Sequence, residues 1–498
     1  MELQFHKSLC ICQNPIVCDI RSQEQTQEVK LSEGMPDVGR ILASWGQCLL
    51  RSKEWRSDSM GITGGVMTWT LYMPEDGYQP VCVETWVPFH MKWDLPPTQR
   101  DGAIRTACFL QNVDARTLSA RRILVRTNVS VWAEAMEEVN REIMKPGEMP
   151  GDVQLLQQTY PVLIPKEVGE KTFVLEDELQ VSSSWGKPEK ILSYQLKPEV
   201  VDKKVIGQRL VFRGNGLLHV VFQSEDGMVR HCNLEVPFSQ LAELDSDYET
   251  EGEPDVLPAV TSLELDLLDG KLQLKCGIAA QYLIRKRELV EIVRDAYSPR
   301  RSVEPDMREL NLPIVLDQRM ENPQLDLEIS ADVEEFADST VFLDHPRQIR
   351  EEDKTDLLLN GNIQILYYDH ENHLQCVLRR FEEKIEIPVS CDAEVQACFS
   401  DSEAVQVNVS GADIHARLNI PLEITTVSDS RIPMVSGLSA GEQEEPDPMR
   451  PSLILRKAGE EPLWEVAKQC GTTVDAIRTA NKLLSEPEYG QILLIPIP

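Results

Sequence analysis

Four residues near the start of the chain, His6, Cys10, Cys12 and Cys18, are of the types that bind zinc. Zinc takes thiolate and imidazole ligands, normally four in a tetrahedron. A lone Cys-x-Cys with no second paired motif does not supply that set, and residues two apart share one face of a strand, so these positions read as strand residues. Two carboxylate pairs, Glu75-Asp76 and Glu225-Asp226, have the chemistry of a general acid and base. Each is followed by glycine (Gly77, Gly227) and recurs at the same point of a repeated pattern, which is the chemistry of a tight turn. Asn128-Val129-Ser130 and Asn408-Val409-Ser410 match glycosylation acceptors, which act only on exported chains. No Gly-x-x-x-x-Gly-Lys loop is present to cradle phosphate, and no order of Ser, His and Asp stands out. The residues predict no catalytic constellation, no metal site and no cofactor.

The elements around these residues are what repeats. From Gly65 an alternating apolar run leads to Glu75-Asp76-Gly77 and a second run ending Val87-Pro88-Phe89. From Gly216 a similar run leads to Glu225-Asp226-Gly227 and then Val236-Pro237-Phe238. From Gly361 a third leads to Asp369-His370-Glu371-Asn372 and then Ile387-Pro388-Val389. Each copy reads as two strands joined by a tight turn, with proline halting the second strand. The spacing of roughly 150 residues is that of a whole domain, not of a solenoid repeat. A binding scaffold uses triplication more readily than a catalytic site does.

The chain has 498 residues and 42% hydrophobic content, enough for several buried cores. Its formal net charge of −32 repels phosphate backbones and anionic lipids, which argues against nucleic acid and bare membrane as partners. The N-terminus lacks the basic start and apolar core of a secretory signal, and no run reaches the roughly 20 apolar residues that span a bilayer. A cytoplasmic protein without direct membrane insertion is expected. The 12 cysteines fit, being mostly single and in strand-like runs.

Three units follow one another. The first, 1–150, has strands at Ile104–Leu110 and Ile123–Trp132 and a helical pattern over Ala133–Lys145 before Pro146-Gly147. The second, 151–304, carries the polar stretch Glu243–Asp255, which reads as a solvated loop, and a hairpin around Asp269-Gly270. The third, 305–438, repeats the order with strands at Leu325–Ile329, Val405–Val409 and Ile414–Ile424. Residues 439–451 form an acidic, proline-rich linker. The remainder, 452–498, reads as strand, helix, helix, strand, with Pro462 at the first helical turn and Thr472 or Thr473 capping the second helix, Val474–Asn481. Its charge is near neutral, so almost all the acidic excess lies upstream. The fold class expected is mainly β, in three tandem modules, followed by a small α+β domain.

In the last segment, Gly459, Leu463-Trp464-Glu465-Val466-Ala467-Lys468, Thr472-Thr473-Val474-Asp475, Ala480-Asn481 and Tyr489-Gly490-Gln491-Ile492-Leu493-Leu494-Ile495-Pro496 resemble the LysM domain. Upstream, the repeated units resemble the SPOCS domain of spore-coat assembly proteins, most clearly at Ile292-Val293-Arg294-Asp295-Ala296-Tyr297-Ser298-Pro299. Tandem SPOCS-like units followed by one LysM are similar to the clostridial proteins that join the spore coat to the forespore. The resemblance implies a sporulating Gram-positive source and a place in the mother-cell cytoplasm at the forespore surface. It also implies two kinds of partner, a stage IV sporulation protein A-like ATPase and other coat proteins.

LysM domains that bind glycan usually read Gly-Asp-Thr-Leu-Trp before the first helix. Here Gly459-Glu460-Glu461-Pro462-Leu463-Trp464 is one residue longer, lacks the threonine and gains a proline. Since that loop forms one wall of the family's sugar groove, the change favours a protein ligand over N-acetylglucosamine. The partner-binding residues so implied are Gly459, Glu460, Glu461, Pro462, Trp464, Asn481, Lys482, Tyr489 and Gln491. In a LysM-like domain Trp464 is more often core than contact. The competing reading is a peptidoglycan-binding cell-wall protein; a wall hydrolase lacks a candidate nucleophile or metal cluster.

Overall fold

The structure is a computed structural model that describes all residues except 1, 4, 78, 98–101, 352–353, 388–393, 400–403, 411–412, 444–448 and 498. It is mainly β. In the first unit Phe5–Lys30 pairs with Arg122–Pro146, which pairs on its other side with Ala103–Ser119. Val38–Arg56, Ser59–Pro74 and Val81–Asp94 form a second three-stranded antiparallel sheet. The side chains that alternate inward along Val81–Asp94, including Phe89, Met91 and Trp93, pack on Val129, Val131 and Ala133 of the first sheet. The second unit repeats this plan. Gln154–Leu179, Lys271–Tyr297 and Gly252–Leu268 make one sheet, and Pro188–Ile206, Arg209–Ser224 and Val229–Glu243 the other. Asp269 and Gly270 both have positive φ, as a two-residue hairpin turn between right-twisted strands requires.

Residues 303–440 follow the same order with long strands broken in two. Val303–Glu321 continues as Gln324–Ser330 past Pro323, and Asp413–Asn419 continues as Leu422–Ala440 past Pro421. A proline has no N–H for the ladder, so both strands break there. In the companion sheet, Lys354–Tyr368 carries Glu335–Leu343 and Arg347–Glu351 along one edge and Leu374–Ile387 along the other.

One cross-strand pair recurs in every unit. Gly64 lies opposite Phe89, Gly214 opposite Phe238 and Gly361 opposite Phe381. A β-carbon on Gly214 would stand 1.8 Å from the Glu199 carbonyl, and one on Gly361 2.4 Å from the Phe381 ring. In each pair the phenyl ring occupies the place of the missing side chain, within 2.9 Å of where a β-carbon would stand.

Three expectations from the sequence are corrected. Pro88 and Pro237 do not halt their strands; both lie within them, opposite Gly65 and Asn215. Each strand is the edge of its sheet, where a missing N–H leaves no partner unsatisfied. Pro388 lies outside the described residues. Ala133–Lys145 is not helical but the end of the central strand Arg122–Pro146, with ladder partners on both sides over Ala133–Met136; pairing overrides local propensity. The polar stretch 243–255 is a loop only up to Glu251. Tyr248 in it is buried and donates to Glu167 Oε2 at 3.1 Å, while Asp255 lies in strand Gly252–Leu268.

The three units share cores. One apolar cluster holds Trp45 and Trp69 of the first, Phe212 and Phe222 of the second, and Leu366 and Tyr368 of the third. Another gathers Cys12 and Ile143, Val162 and Ile292, and Leu310 and Met434 from the far ends of the first and last strands of all three. Glu2–Leu3 pairs with Leu438–Ser439, tying the start of the chain to the third unit. Where the units meet, a cavity of about 1660 Å³ is bordered by Cys48, Trp132, Lys197, Asp255, His345 and Phe399. At one junction Asp338 is 1% exposed and accepts hydrogen bonds from Trp45 Nε1 (3.1 Å) and His219 Nε2 (2.8 Å), one group from each unit. At another, Arg105 bridges Glu134 of its own unit and Asp255 of the second at 3.2 and 2.5 Å.

Residues 453–497 form a separate small unit: strand Leu453–Lys457, helix α1 (Leu463–Cys470), helix α2 (Val474–Asn481) and strand Ile492–Pro496. Leu463, Val466, Ala467, Ile477, Leu493 and Ile495 fill its interior. Pro462 is the N-cap of α1, and Gly471 (φ 62°) ends that helix. The Thr473 hydroxyl accepts from Ala476 N to cap α2.

Candidate functional site

The chemistry-bearing residues of the three large units serve their folds. Cys12 points into the cluster with Ile143 and Val162, and Cys18 is exposed on the same strand beyond a bulge. Among the described residues no group of three or more His, Cys, Asp or Glu side chains is placed to hold a metal ion. Asp226 accepts from the Met228 amide at 3.1 Å and pairs with Arg230 at 2.7 Å, and Asp369 accepts from the Glu371 and His373 amides at 3.0 and 2.8 Å. Both aspartates organise their turns, and hydrogen bonding holds both carboxyls below the usual range: from Ser224 first at Asp226, from Gln375 first at Asp369. Burial pushes the thiols of Cys82, Cys108, Cys232, Cys276 and Cys376 up to about 12, which makes them poor nucleophiles.

In the C-terminal unit the implied contact residues divide by what their side chains do. Gly459, Glu460, Pro462, Lys482 and Tyr489 are exposed, Tyr489 at 79%. Lys482 has φ 56° and closes α2, its amide donating to Arg478 and Thr479 carbonyls. Glu461 is exposed and paired with Arg456 at 2.6 Å. Gln491 accepts from the Glu488 amide at 3.1 Å, inside the turn that ends at Gly490 (φ 85°). Asn481 acts inward. Its amide donates to the Ile477 and Leu494 carbonyls and its oxygen accepts from Leu494 N at 2.7 Å, so it pins the last strand to α2.

The loop 460–462 and the loop 484–489, which the sequence offers together as a contact surface, are tied to each other by Glu486, whose carboxylate accepts from Leu463 N at 2.8 Å. That places an anion at the N-terminus of α1, where Pro462 has no side-chain cap to offer. Beside the loops, the outer face of the two-stranded sheet is apolar and exposed: Leu453 and Leu455 stand against Pro496 and Leu494, with Ile492 next in line. Leu484 and Tyr489 are exposed as well.

Trp464 faces the other way. Its indole N–H donates to Asp295 Oδ2 at 2.8 Å, and its ring meets Tyr297 edge-on with centroids 4.8 Å apart. Lys468, one turn further along α1, reaches the same Asp295 oxygen at 2.6 Å. Tyr297 is 5% exposed, lies in the apolar cluster of the C-terminal unit and donates its hydroxyl to the Thr472 carbonyl at 2.9 Å. Burial alone would raise the Asp295 carboxyl; the hydrogen bonds from Lys468 and Trp464 outweigh it and hold the group below its usual range.

Sequence reasoning missed the roles of Lys468, Glu486, Asp295 and Tyr297. The only signal was that Asp295-Ala296-Tyr297 falls in the most distinctive stretch of the second unit. Nothing local could pair it with Trp464, 169 residues away.

No family model, curated protein or solved structure matches this chain. Among the described residues no helix is long and apolar enough to cross a membrane.

Proposed function

We propose that the protein is a non-enzymatic adaptor of endospore coat assembly, similar to SipL. In this reading it docks coat layers on the forespore surface by binding a stage IV sporulation protein A-like ATPase, partly through a LysM domain at residues 452–498, and works in the mother-cell cytoplasm. The three SPOCS-like units recruit other coat proteins. The resemblance of the motifs carries the family assignment. The observation that best supports an adaptor is the exposed apolar sheet face of the C-terminal unit, Leu453, Leu455, Ile492 and Leu494, with Leu484 and Tyr489 exposed in the same unit. Contiguous exposed apolar surface rimmed by polar groups is characteristic of protein–protein contact. Weak contacts of this kind become strong when several linked modules meet an arrayed target.

Capture of the ATPase by the full chain, compared with a chain ending at residue 451, tests the reading. Loss of capture is the expected result, and undiminished capture refutes the docking role of the last unit. The alternative, binding of peptidoglycan or N-acetylglucosamine, is favoured by the same small unit's resemblance to LysM. It predicts saturable binding of chitin oligomers in a titration.

A further inference from the structure

We propose that Asp295 and Tyr297 form a latch that holds the C-terminal unit on the second unit. The latch covers a recognition face on α1, made by Trp464 and Lys468, for a segment presenting aspartate two residues before tyrosine. The inference is independent of the spore-coat reading, because both halves of the contact belong to this chain.

Three features carry it. The first is convergence: an indole N–H and an ammonium, four residues apart on one helix face, both donate to a single carboxylate oxygen. The second is presentation. The ladder between Lys271–Tyr297 and Gln154–Leu179 shifts register between Val293 and Asp295, leaving Arg294 unpaired in the ladder. Such a bulge re-aims the side chains beyond it; here it puts Asp295 and Tyr297 against α1, while Arg294 turns back to the Tyr160 hydroxyl. The third is separability. The C-terminal unit has its own interior and is joined to the third unit by residues 441–451, so it can leave the second unit without unfolding either. Tyr297 is the one residue of the second unit in that interior cluster, and it enters as a guest from outside.

A covalently tethered occupant acts at an effective concentration in the millimolar range, so a free segment of the same chemistry must compete with it. The C-terminal unit thus has two separate surfaces. The sheet face and loops are open, and the Trp464–Lys468 face opens only when Asp295 and Tyr297 are displaced.

The test uses the full chain and a fluorescein-labelled peptide of residues 291–299, followed by anisotropy. The wild-type chain binds the peptide at least about tenfold more weakly than the Asp295→Ala/Tyr297→Ala variant, whose site is vacated. Replacing the aspartate of the peptide with alanine abolishes binding. Equal affinity for both chains, or no binding to a vacated chain whose residues 453–497 keep their hydrogen-exchange protection, overturns the proposal. Should the double variant lose the fold of the last unit, a charge exchange decides. Lys468→Glu raises amide exchange across residues 463–470 about tenfold, and adding Asp295→Lys restores protection. Failure of the second change to restore it overturns the latch.

Discussion

Replacing Asp338 with alanine removes the group on which the three large units converge. The carboxylate accepts from Trp45 Nε1 of the first unit and His219 Nε2 of the second while belonging to the third, and His231 Nδ1 lies 3.9 Å away. Removing one partner of a buried ion pair costs about 3–5 kcal/mol, because the other is left unpaired in a low dielectric. The Trp45 N–H, on a fully buried side chain, is orphaned as well. A loss of about 4 kcal/mol at a urea slope of about 4 kcal/mol per molar lowers the unfolding midpoint by about 1 M.

The pH dependence gives a sharper signature. Burial would raise the Asp338 carboxyl, but His219 first among its partners holds it below its usual range. Burial would likewise lower the His219 imidazole, yet Asp338 raises it above its usual value despite the nearby Lys197 ammonium. The Asp338 contribution is therefore present above the unfolded carboxyl value of about 4 and lost as pH falls through the folded one. The His219 contribution is complete below about 6.5 and lost as pH rises through its raised folded value. Urea titrations at pH 5, 6.5 and 8 of wild type and Asp338→Ala isolate the pair by difference. The difference is largest at pH 5 to 6.5 and shrinks as pH rises through the raised folded value of His219. A cost below about 1 kcal/mol, or one that does not vary with pH over this range, refutes the view that a charged junction joins the units.

Other expected outcomes follow from single contacts. Gly214→Ala puts a β-carbon into the Glu199 carbonyl and destabilises by more than about 2 kcal/mol in urea melts, whereas Gly34→Ala, with open space around it, changes stability by less than about 0.5 kcal/mol. Asn481→Ala strips the paired bonds to Leu494 and lowers hydrogen-exchange protection of residues 492–496 by an amount equivalent to about 1–3 kcal/mol. Tyr489→Ala, at an exposed ring, leaves unfolding within about 0.5 kcal/mol of wild type but weakens capture of the proposed ATPase partner. At pH 8, Cys18 reacts before Cys82, Cys108, Cys232, Cys276 and Cys376, which react with a thiol reagent only after denaturant is added, as mass mapping of labelled peptides would record.

Legibility in the sequence followed the range of the interaction. The Asp269-Gly270 turn, the α2 boundaries and a threonine cap at 472 or 473 were readable because each depends on residues within a few positions of one another. Ala133–Lys145 was misread as helical because what fixes it is pairing with strands whose partners begin at Phe5 and Ala103. Pro88 and Pro237 were misread for a related reason: whether proline ends a strand depends on whether that strand is an edge. The inward role of Asn481 and the engagement of Trp464 with Asp295 were equally invisible, since neither partner is a sequence neighbour.

What the chain determined by itself was local and periodic: β-rich composition, three repeats of one strand order, and a small mixed unit at the end. What only tertiary packing decided was how the repeats meet. Asp338, Arg105 and Asp295 have ordinary sequence surroundings, and each acquires its role from groups contributed by another unit. The physical reason is that a charged group's worth depends on its burial and on the partners facing it, and both are properties of chain segments brought together from more than 100 positions apart.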